Sequence, residues 1–166
     1  MPDTGHVVLV GLMGSGKSTV GPLLARRLGR EYLDNDAMLV GRAGRSARDI
    51  AERDGLATLH RLEEETLVEA CARPEPAVIG AAASSALGPA GAAALHTCEV
   101  VYLRASPAVL AARLAAGDDG HRPQLDLVAL FAERDPGYRR LASLVVDADR
   151  PAEEVAQTIS EALARP

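Results

Sequence analysis

Short apolar runs alternate along this chain with longer segments whose apolar residues recur at helical spacing. Five such runs predict strands, at residues 7–10, 32–34, 77–80, 100–103 and 144–146. Helical spacing and end signals predict helices over residues 17–28, 46–53, 59–70 and 108–115, and a last helix that Pro151 opens. Strands that alternate with helices are typical of a parallel sheet covered by helices on both faces. We therefore predict an α/β fold of three layers around a five-stranded parallel sheet.

Length and composition indicate a single domain that spans residues 1–166. A chain of 166 residues is long enough for one sizeable core. Apolar residues make up 48% of the chain but aromatic residues only 2%, so alanine, leucine and valine must fill most of that core. The sequence contains no internal repeat and no linker between domains. Residues 117–123, which read GDDGHRP, form the most loop-like stretch in an otherwise regular pattern.

Charge and the length of the apolar runs argue against several classes of partner. No run approaches the roughly 18–20 apolar residues that a membrane span requires, and no signal-type stretch opens the chain. We therefore expect a cytoplasmic protein with no membrane partner. A net charge of −5 without any basic run argues against a nucleic-acid surface. Cys71 and Cys98 lack metal-binding or redox spacing and are expected to be ordinary thiols.

The stretch GLMGSGKST at residues 11–19 matches the phosphate-loop pattern G-x-x-x-x-G-K-[ST]. It follows the first predicted strand and opens the first predicted helix, which is the context that this pattern requires. Lys17 is the only lysine beside seventeen arginines, which suggests that arginine cannot replace it there. Lys17 is expected to reach the β- and γ-phosphates of a nucleoside triphosphate, and Ser18 to offer its hydroxyl to Mg²⁺. The predicted nucleotide-binding residues of this loop are Gly14, Ser15, Gly16, Lys17, Ser18 and Thr19.

Two carboxylates, Asp34 and Asp36, end the second predicted strand in the sequence LDND. The carboxyl ends of strands in an open α/β sheet face the ligand crevice, so both side chains are expected near the bound phosphates. Asp34 is placed to help hold Mg²⁺ through water. Asp36 is placed to orient an attacking hydroxyl or to accept its proton, with helix capping by Asp36 as the alternative.

These motifs, taken in order, resemble the shikimate kinase family of small P-loop kinases with the nucleoside-monophosphate-kinase fold. The resemblance covers nearly the whole chain and rests on GLMGSGKSTVG, LDNDAMLVGRAGRS, EVVYLRAS, HRPQL, GYRRLA and VVDADRPAEEVA. It implies a mobile lid at about residues 117–125, ATP and Mg²⁺ as cofactors, and a small hydroxylated ring acid as acceptor. A kinase of this type can act as a monomer, which is the state we expect.

The same resemblance implies roles for single residues on both sides of the predicted site. It places Arg122 on the lid, where it reaches the transferring phosphate, and Arg139 near the carboxylate of the acceptor. Arg113 is expected to stack on adenine, and the segment from Asp147 to Pro151 is expected to form the adenine loop. For Arg113 and Arg139, a solvated helix face is the alternative.

The first departure from the family pattern lies on the helix predicted at residues 59–70. The family carries G-E-x-x-F-R where this chain reads GLATLH, so His60 stands in place of an arginine that grips the shikimate carboxylate. Glu63, which would orient that arginine, remains. For His60 taken alone, an exposed helical histidine is the alternative. A protonated imidazole could recover part of the lost interaction but cannot reproduce a bidentate guanidinium.

The second departure is the stretch VIGAAASS at residues 78–85, where the family has three glycines and this chain has Gly80, Ala81 and Ala82. Each alanine adds a methyl group where the backbone is expected to touch the acceptor. At a positive φ it would also cost about 1 kcal/mol or more. Ala51, in place of a phenylalanine, removes bulk from another wall. We therefore expect a reshaped acceptor pocket, with tolerated drift in a working shikimate kinase as the alternative. The predicted acceptor contacts are Asp36, His60, Glu63, Gly80, Ala81, Ala82 and Arg139.

Functions from different classes fit these observations. The first is an ATP-dependent kinase that phosphorylates a hydroxyl of shikimate or of a related cyclitol, sugar or hydroxy acid, with Lys17, Asp36 and Arg122 as catalytic residues. The second is a non-catalytic ATP-binding regulator whose acceptor site has degenerated. The retained Asp36 and Arg122 argue against the regulator, because a protein that only binds ATP needs neither. A nucleoside-monophosphate kinase ranks lowest, because the recognisable acceptor-side stretches are shikimate-like.

Overall fold

The computed structural model describes residues 5–117 and 126–166, in which strands and helices alternate throughout. The strands are β1 (Val7–Val10), β2 (Glu31–Asp34), β3 (Ala77–Gly80), β4 (Glu99–Arg104) and β5 (Leu144–Asp147). The helices are α1 (Lys17–Leu28), α2 (Asn35–Ala43), α3 (Ala47–Asp54), α4 (Leu56–Cys71), α5 (Pro89–Ala94), α6 (Pro107–Ala116), α7 (Leu127–Leu141) and α8 (Ala152–Leu163). Two short 3-10 turns, Ser85–Leu87 and Leu95–Thr97, flank α5.

The strands of the described residues form one parallel sheet in the order β2-β3-β1-β4-β5. In the middle of this sheet, Val8 of β1 lies beside Ile79 of β3 and Val100 of β4. Every residue of β1 and β3 is buried, as expected for strands covered on both faces. The strand order reverses at β1, and ligands of such sheets bind beyond the carboxyl ends of the strands at that point. The five predicted strands and the α/β class are confirmed.

Capping residues set the helix ends nearest to this edge of the sheet. The helix α1 begins directly after Gly16, whose φ of 102° is one that other residues rarely adopt. The Asp34 carboxylate caps α2, because it accepts hydrogen bonds from the backbone N–H groups of Asp36 (2.8 Å) and Ala37 (3.3 Å). The cap of this helix is therefore Asp34 and not Asp36. Ser46 caps α3 in the same way, as its sequence predicts.

Aliphatic side chains build most of the core on both faces of the sheet. The buried residues of this core include Leu9, Leu24, Leu67, Ile79, Val101 and Ile159. Burial of each such leucine or isoleucine side chain contributes about 1.5–3 kcal/mol. Tyr102 and Tyr138 are the large exceptions, and their buried rings lie 5.0 Å apart between centroids. A second cluster of Leu39, Ile50 and Leu59 joins α2, α3 and α4.

Helix bounds differ from the sequence pattern in two respects. The helix α4 begins at Leu56 rather than at residue 59, directly after Gly55 closes α3. The pattern sets no bounds for α2, α5 or α7. Of these helices, α5 is short and α7 is interrupted by Pro136, which weakens the helical spacing of both. Among the described residues, no helix is both long enough and apolar enough to cross a membrane.

Candidate active site

The carboxyl edge of the sheet opens into a cavity of about 660 Å³. The phosphate loop between β1 and α1, the start of α2, the start of α4, the loop after β3 and the helices α6 and α7 all contribute to its lining. These are the elements that the sequence motifs occupy. The predicted site residues that line this cavity are Gly14, Gly16, Lys17, Ser18, Thr19, Asp34, Asp36, His60, Glu63, Gly80, Ala81, Ala82 and Arg113.

The phosphate loop is held together by the side chain of Lys17. The Lys17 ammonium donates hydrogen bonds to the carbonyl oxygens of Gly11 (2.6 Å) and Leu12 (3.1 Å). It also donates to the Ser15 hydroxyl at 3.5 Å. Ser15 is itself buried, and its N–H donates to the Leu12 carbonyl at 3.1 Å. The Lys17 ammonium therefore lies within the phosphate loop, in a position where phosphate oxygens can replace its carbonyl partners.

Burial and charged neighbours act on the Lys17 ammonium in opposite directions. Desolvation is the largest effect and lowers the pKa of Lys17 to about 8. The Asp36 and Asp34 carboxylates raise the pKa of Lys17, whereas the Arg134 guanidinium lowers it. All of these groups line the same cavity. The phosphates of a bound nucleotide would favour the charged amine.

Oxygen atoms that suit a magnesium ion gather where α1 begins and β2 ends. Ser18 is exposed in the first turn of α1 and lines the cavity. One oxygen of Asp34 caps α2, which leaves the second oxygen of the same carboxylate for another ligand. Mg²⁺ is commonly held by one or two carboxylates, substrate phosphates and water. The donor set of Ser18 and Asp34 fits that ion.

Arg113 on α6 joins the phosphate loop to the loop after β5. One guanidinium nitrogen, Nη1, donates to the carbonyl oxygens of Gly14 (3.2 Å) and Ser15 (3.3 Å). The other, Nη2, donates to the carbonyl oxygen of Ala148 at 2.7 Å. These contacts place Arg113 on the nucleotide side of the cavity. Its stacking on adenine stays a prediction.

The predicted adenine loop, from Asp147 to Pro151, lies next to the phosphate loop because Arg113 bridges the two. Asp147 accepts a hydrogen bond from the N–H of Asp149 (2.9 Å), which closes the turn, and Pro151 directly precedes α8. Neither Asp147 nor Pro151 lines the cavity formed by the described residues. The part of this loop closest to the site is therefore Ala148.

The loop after β3 forms one wall of the cavity. Ala81 and Ala82 both have a negative φ, so these two alanines carry none of the backbone strain that a positive φ would impose. Ala81 is buried and donates its N–H to the carbonyl of Leu9 at 3.0 Å. Gly80 is required for a different reason, because a Cβ there would overlap the Tyr32 hydroxyl. The alanines therefore change the surface of the wall and not its backbone.

Glu63 and His60 lie one turn apart on α4 and line the same cavity. Glu63 is buried, and its carboxylate accepts a hydrogen bond from the Ser84 hydroxyl at 3.0 Å. Burial raises the pKa of Glu63, and the Asp36 charge adds to that rise, whereas Ser84 and Arg134 oppose it. His60 is exposed at the surface of the cavity.

The helix α7 contributes Arg134 to the cavity, and Arg139 lies outside it. Arg139 is 49% exposed, and its Nε donates to Asp135 at 3.0 Å. Five residues along a helix turn the side-chain direction by about 140°, so only one of these two arginines can face the site. The expectation for Arg139 is corrected on this point. In the sequence, Arg134 stands four residues after Leu130 and four before the buried Tyr138, and this spacing indicates that the three share one face of the helix.

This order of motifs and elements matches one known group of enzymes. A sequence profile described as shikimate kinase matches residues 13–164. The chain belongs to the shikimate kinase family. A shikimate kinase of Oleidesulfovibrio alaskensis is 37% identical over 168 residues, covering 96% of this chain and 97% of the relative. A shikimate kinase of Thermobifida fusca is 39% identical over 163 residues, covering 94% of this chain and 93% of the relative.

Solved structures place the chain beside shikimate kinases in fold as well. The shikimate kinase of Acinetobacter baumannii in complex with shikimate superposes with a TM-score of 0.88 at 28% identity, covering 95% of this chain and 92% of that one. A gluconokinase of Sinorhizobium meliloti superposes with a TM-score of 0.67 at 25% identity, covering 99% of this chain and 94% of that one. The three-layer P-loop kinase fold is thereby shown.

Membership of the shikimate kinase family establishes the class of activity. Shikimate kinases use ATP and Mg²⁺, and this chain is an ATP-dependent small-molecule kinase. The alternatives of a non-catalytic regulator and of a nucleoside-monophosphate kinase are therefore set aside. Arg122 and residues 118–125 of the predicted lid lie outside the described residues, so their roles stay predictions.

Proposed function

We propose that this kinase phosphorylates a hydroxyl of a small hydroxylated carboxylic acid, in a site whose acceptor side departs from that of its relatives. The observation that carries the proposal is the position of Arg134, which lines the same cavity as Lys17 and Asp36. A guanidinium can bind a carboxylate through two parallel hydrogen bonds. Shikimate, which is bound in the Acinetobacter baumannii structure, is an acid of this kind.

On the nucleotide side, the phosphate loop binds the β- and γ-phosphates. Lys17 and the converging backbone N–H groups of the loop supply positive charge at the phosphate oxygens. Ser18 and Asp34 would hold the magnesium ion, whose positive charge would offset charge on those oxygens. Arg122 is the proposed further cation on the transferring phosphate. Catalysis of this kind depends mainly on positioning and charge, with little covalent chemistry for the protein to do.

On the acceptor side, Asp36 is the proposed group that orients the attacking hydroxyl. As the new bond between the hydroxyl oxygen and the γ-phosphorus forms, the bond from that phosphorus to the β–γ bridging oxygen breaks. The hydroxyl proton passes to the Asp36 carboxylate. Asp36 is exposed within the cavity, and its charge acts both on Lys17 of the phosphate loop and on Glu63 of α4, which supports this role.

The proposed departure in specificity comes from His60 and from the wall after β3. One arginine, Arg134, lines the cavity from α7, while α4 offers an exposed imidazole at the position where the family pattern G-E-x-x-F-R implies an arginine. Loss of one charged partner of this kind typically costs about 2–5 kcal/mol, or roughly 30- to several-thousand-fold in affinity. We therefore propose weaker binding of shikimate and a wider range of acceptors that includes cyclitols, sugars and other hydroxy acids. The gluconokinase likeness favours a sugar acid as the second candidate.

An ATP-consumption assay tests this function directly. Shikimate is compared with gluconate, cyclitols, neutral sugars and other hydroxy acids, for the wild type and for Asp36→Asn. We expect turnover of at least one hydroxylated acid, and a fall in kcat of roughly 10²–10⁴-fold in the variant with ATP affinity nearly unchanged. Normal turnover in Asp36→Asn would remove the role of Asp36. Turnover of shikimate with a KM as low as that of its relatives would remove the proposed change in specificity and leave the kinase.

A further inference from the structure

Arg134 is followed on α7 by a carboxylate that is bound to the sheet. Asp135 accepts hydrogen bonds from the Tyr102 hydroxyl (2.9 Å) and from Arg104 Nε (2.8 Å), which both belong to β4. A third donor is Arg139 Nε at 3.0 Å, from the next turn of α7. The Asp135 side chain is only 15% exposed, so solvent screens these charge-assisted hydrogen bonds weakly. They join this turn of α7 to β4.

Tyr138 lies one turn after Arg134 on α7. The Tyr138 hydroxyl donates to the carbonyl of Ala83, on the loop after β3, and the neighbouring Arg134 guanidinium opposes the rise in the pKa of Tyr138 that burial causes. The buried Tyr138 ring packs against the Tyr102 ring, with 5.0 Å between centroids and 36° between planes. Because the Tyr102 hydroxyl also bonds to Asp135, the contacts on both sides of Arg134 form one connected network.

The helix backbone is weak at this turn and cannot fix the direction of Arg134 alone. Pro136 lies inside α7 and has no N–H to bond to the carbonyl four residues earlier. Gly137 follows it, and glycine has the lowest helix propensity after proline. A Cβ at position 137 would lie 2.8 Å from the end of the Leu87 side chain, which would have to shift to accept a larger residue there. Tertiary contacts must therefore supply the order that the helix lacks.

We propose that Asp135 is a positioning residue for this kinase, which holds Arg134 in the orientation that binds the carboxylate of the acceptor. The inference rests on the proposed function, because it assigns Asp135 an effect on the same acceptor side. Asp135 does not line the cavity and cannot touch the acceptor, so its effect must pass through Arg134. Arg139 is one of the three donors to Asp135, and this hydrogen bond holds Arg139 away from the site.

A double-mutant cycle on the full chain tests this inference. KM for the acceptor, KM for ATP and kcat are measured for wild type, Arg134→Gln, Asp135→Ala and the double variant, with shikimate or the best acceptor of the panel. We expect Asp135→Ala to raise the acceptor KM about tenfold, with the KM for ATP within about twofold of wild type. In the Arg134→Gln background, Asp135→Ala should change the acceptor KM by less than about twofold. A residue with a merely structural role would have the same effect in both backgrounds.

The two arms of the cycle separate the possible failures. If Arg134→Gln leaves the acceptor KM unchanged, the proposed function of Arg134 fails. If Arg134→Gln raises the acceptor KM but Asp135→Ala does not, or if its effect persists in the Arg134→Gln background, the positioning role of Asp135 is overturned. Asp135→Asn, which keeps an acceptor oxygen for Tyr102 and Arg104, should give an intermediate KM and provides the cycle if Asp135→Ala does not fold.

Asp49→Ala is the matched control for the loss of a carboxylate that binds arginines. Asp49 on α3 binds Arg53 (2.9 Å) and Arg45 (3.9 Å), and it does not line the cavity. We expect this variant to leave both KM values unchanged. A rise of the acceptor KM in Asp49→Ala equal to that in Asp135→Ala would show a general effect of lost ion pairs and would overturn the proposal.

Discussion

The unusual property of Lys17 is that burial lowers the pKa of its amine towards the pH of ordinary assays. Desolvation lowers the pKa of Lys17 to about 8 in the free protein, although Asp36 and Asp34 act in the opposite direction. Bound phosphates need the ammonium form, so nucleotide binding at higher pH must include the uptake of a proton. This residue therefore couples ATP affinity to pH within the range in which the protein is assayed.

For wild type, we expect ATP affinity to be constant below pH 8 and to fall above it. The fall should approach about tenfold per pH unit, because each unit lowers the charged fraction of the free amine by that factor. Calorimetric titration with ATP and Mg²⁺ from pH 6.5 to 9.5 measures it. Lys17→Arg is the control, because a guanidinium does not titrate in this range and its weaker binding should be flat. A flat wild-type profile would contradict the assignment.

At the other side of the cavity, His60 offers a substitution that should restore a second cation. We expect His60→Arg to lower the KM for carboxylated acceptors by about tenfold or more, because a guanidinium forms a bidentate pair with a carboxylate. The KM for ATP and for uncharged cyclitols should not change. His60→Gln, which removes the imidazole without adding charge, is the control in the same kinetic assay. An equal effect on charged and uncharged acceptors would show that the change is steric.

Among the secondary-structure elements, β2, β3 and α1 meet around one tyrosine ring. Tyr32 of β2 occupies the space that the missing side chains of Gly80 and Gly21 leave open. Its hydroxyl donates to the carbonyl of Lys17 at 3.3 Å, directly after the phosphate loop. The Tyr32 side chain therefore packs against β3 on one side and against the start of α1 on the other.

The close packing of Tyr32 against Gly80 predicts that a substitution at position 32 rescues the stability lost by one at position 80. Gly80→Ala should destabilise the protein by about 1–3 kcal/mol, because the added methyl group overlaps the Tyr32 hydroxyl. Adding Tyr32→Phe removes that oxygen and should recover most of the loss in urea denaturation. Gly21→Ala is the contrasting variant, because its methyl group would overlap ring carbons that Tyr32→Phe keeps. Equal rescue of both variants would show that the hydroxyl is not the point of overlap.

Sequence alone predicts those parts of this fold whose signals are local. The five strands follow from short apolar runs, and the phosphate loop follows from a fixed glycine and lysine spacing. The assignment of Arg134 over Arg139 depends on which face of α7 packs on the sheet, and Pro136 and Gly137 weaken the pattern that would reveal it. The buried Tyr138, four residues after Arg134, is the feature that settles the face.

For the molecule as a whole, burial of Glu63 in the cavity makes the charged form of this carboxyl unfavourable for the stability of the fold. Burial raises the pKa of Glu63 above its ordinary value of 4.5, so the folded state holds this proton more tightly than the unfolded state does. Stability linked to this group is therefore fully present below that ordinary pKa. It is lost as the pH rises through the raised value.

Glu63→Gln should accordingly raise the melting temperature at pH 7.5 and leave it unchanged near pH 4. The amide keeps a partner for the Ser84 hydroxyl but carries no charge to desolvate. Thermal denaturation at both pH values measures the difference. Glu65→Gln changes a more exposed carboxyl on the same helix and should show no such gain at pH 7.5. A lower melting temperature for Glu63→Gln at pH 7.5 would mean that its contacts with charged neighbours outweigh its burial.

A single lysine also makes this protein an unusual target for reagents that modify amines. Seventeen of the eighteen basic side chains are arginines, so one ε-amine is all that the sequence offers to acylating esters. With a pKa of about 8, roughly half of that amine is uncharged in mildly alkaline buffer. It stands where phosphates bind, so a modified or protected ε-amine reports directly whether the nucleotide site is vacant or filled.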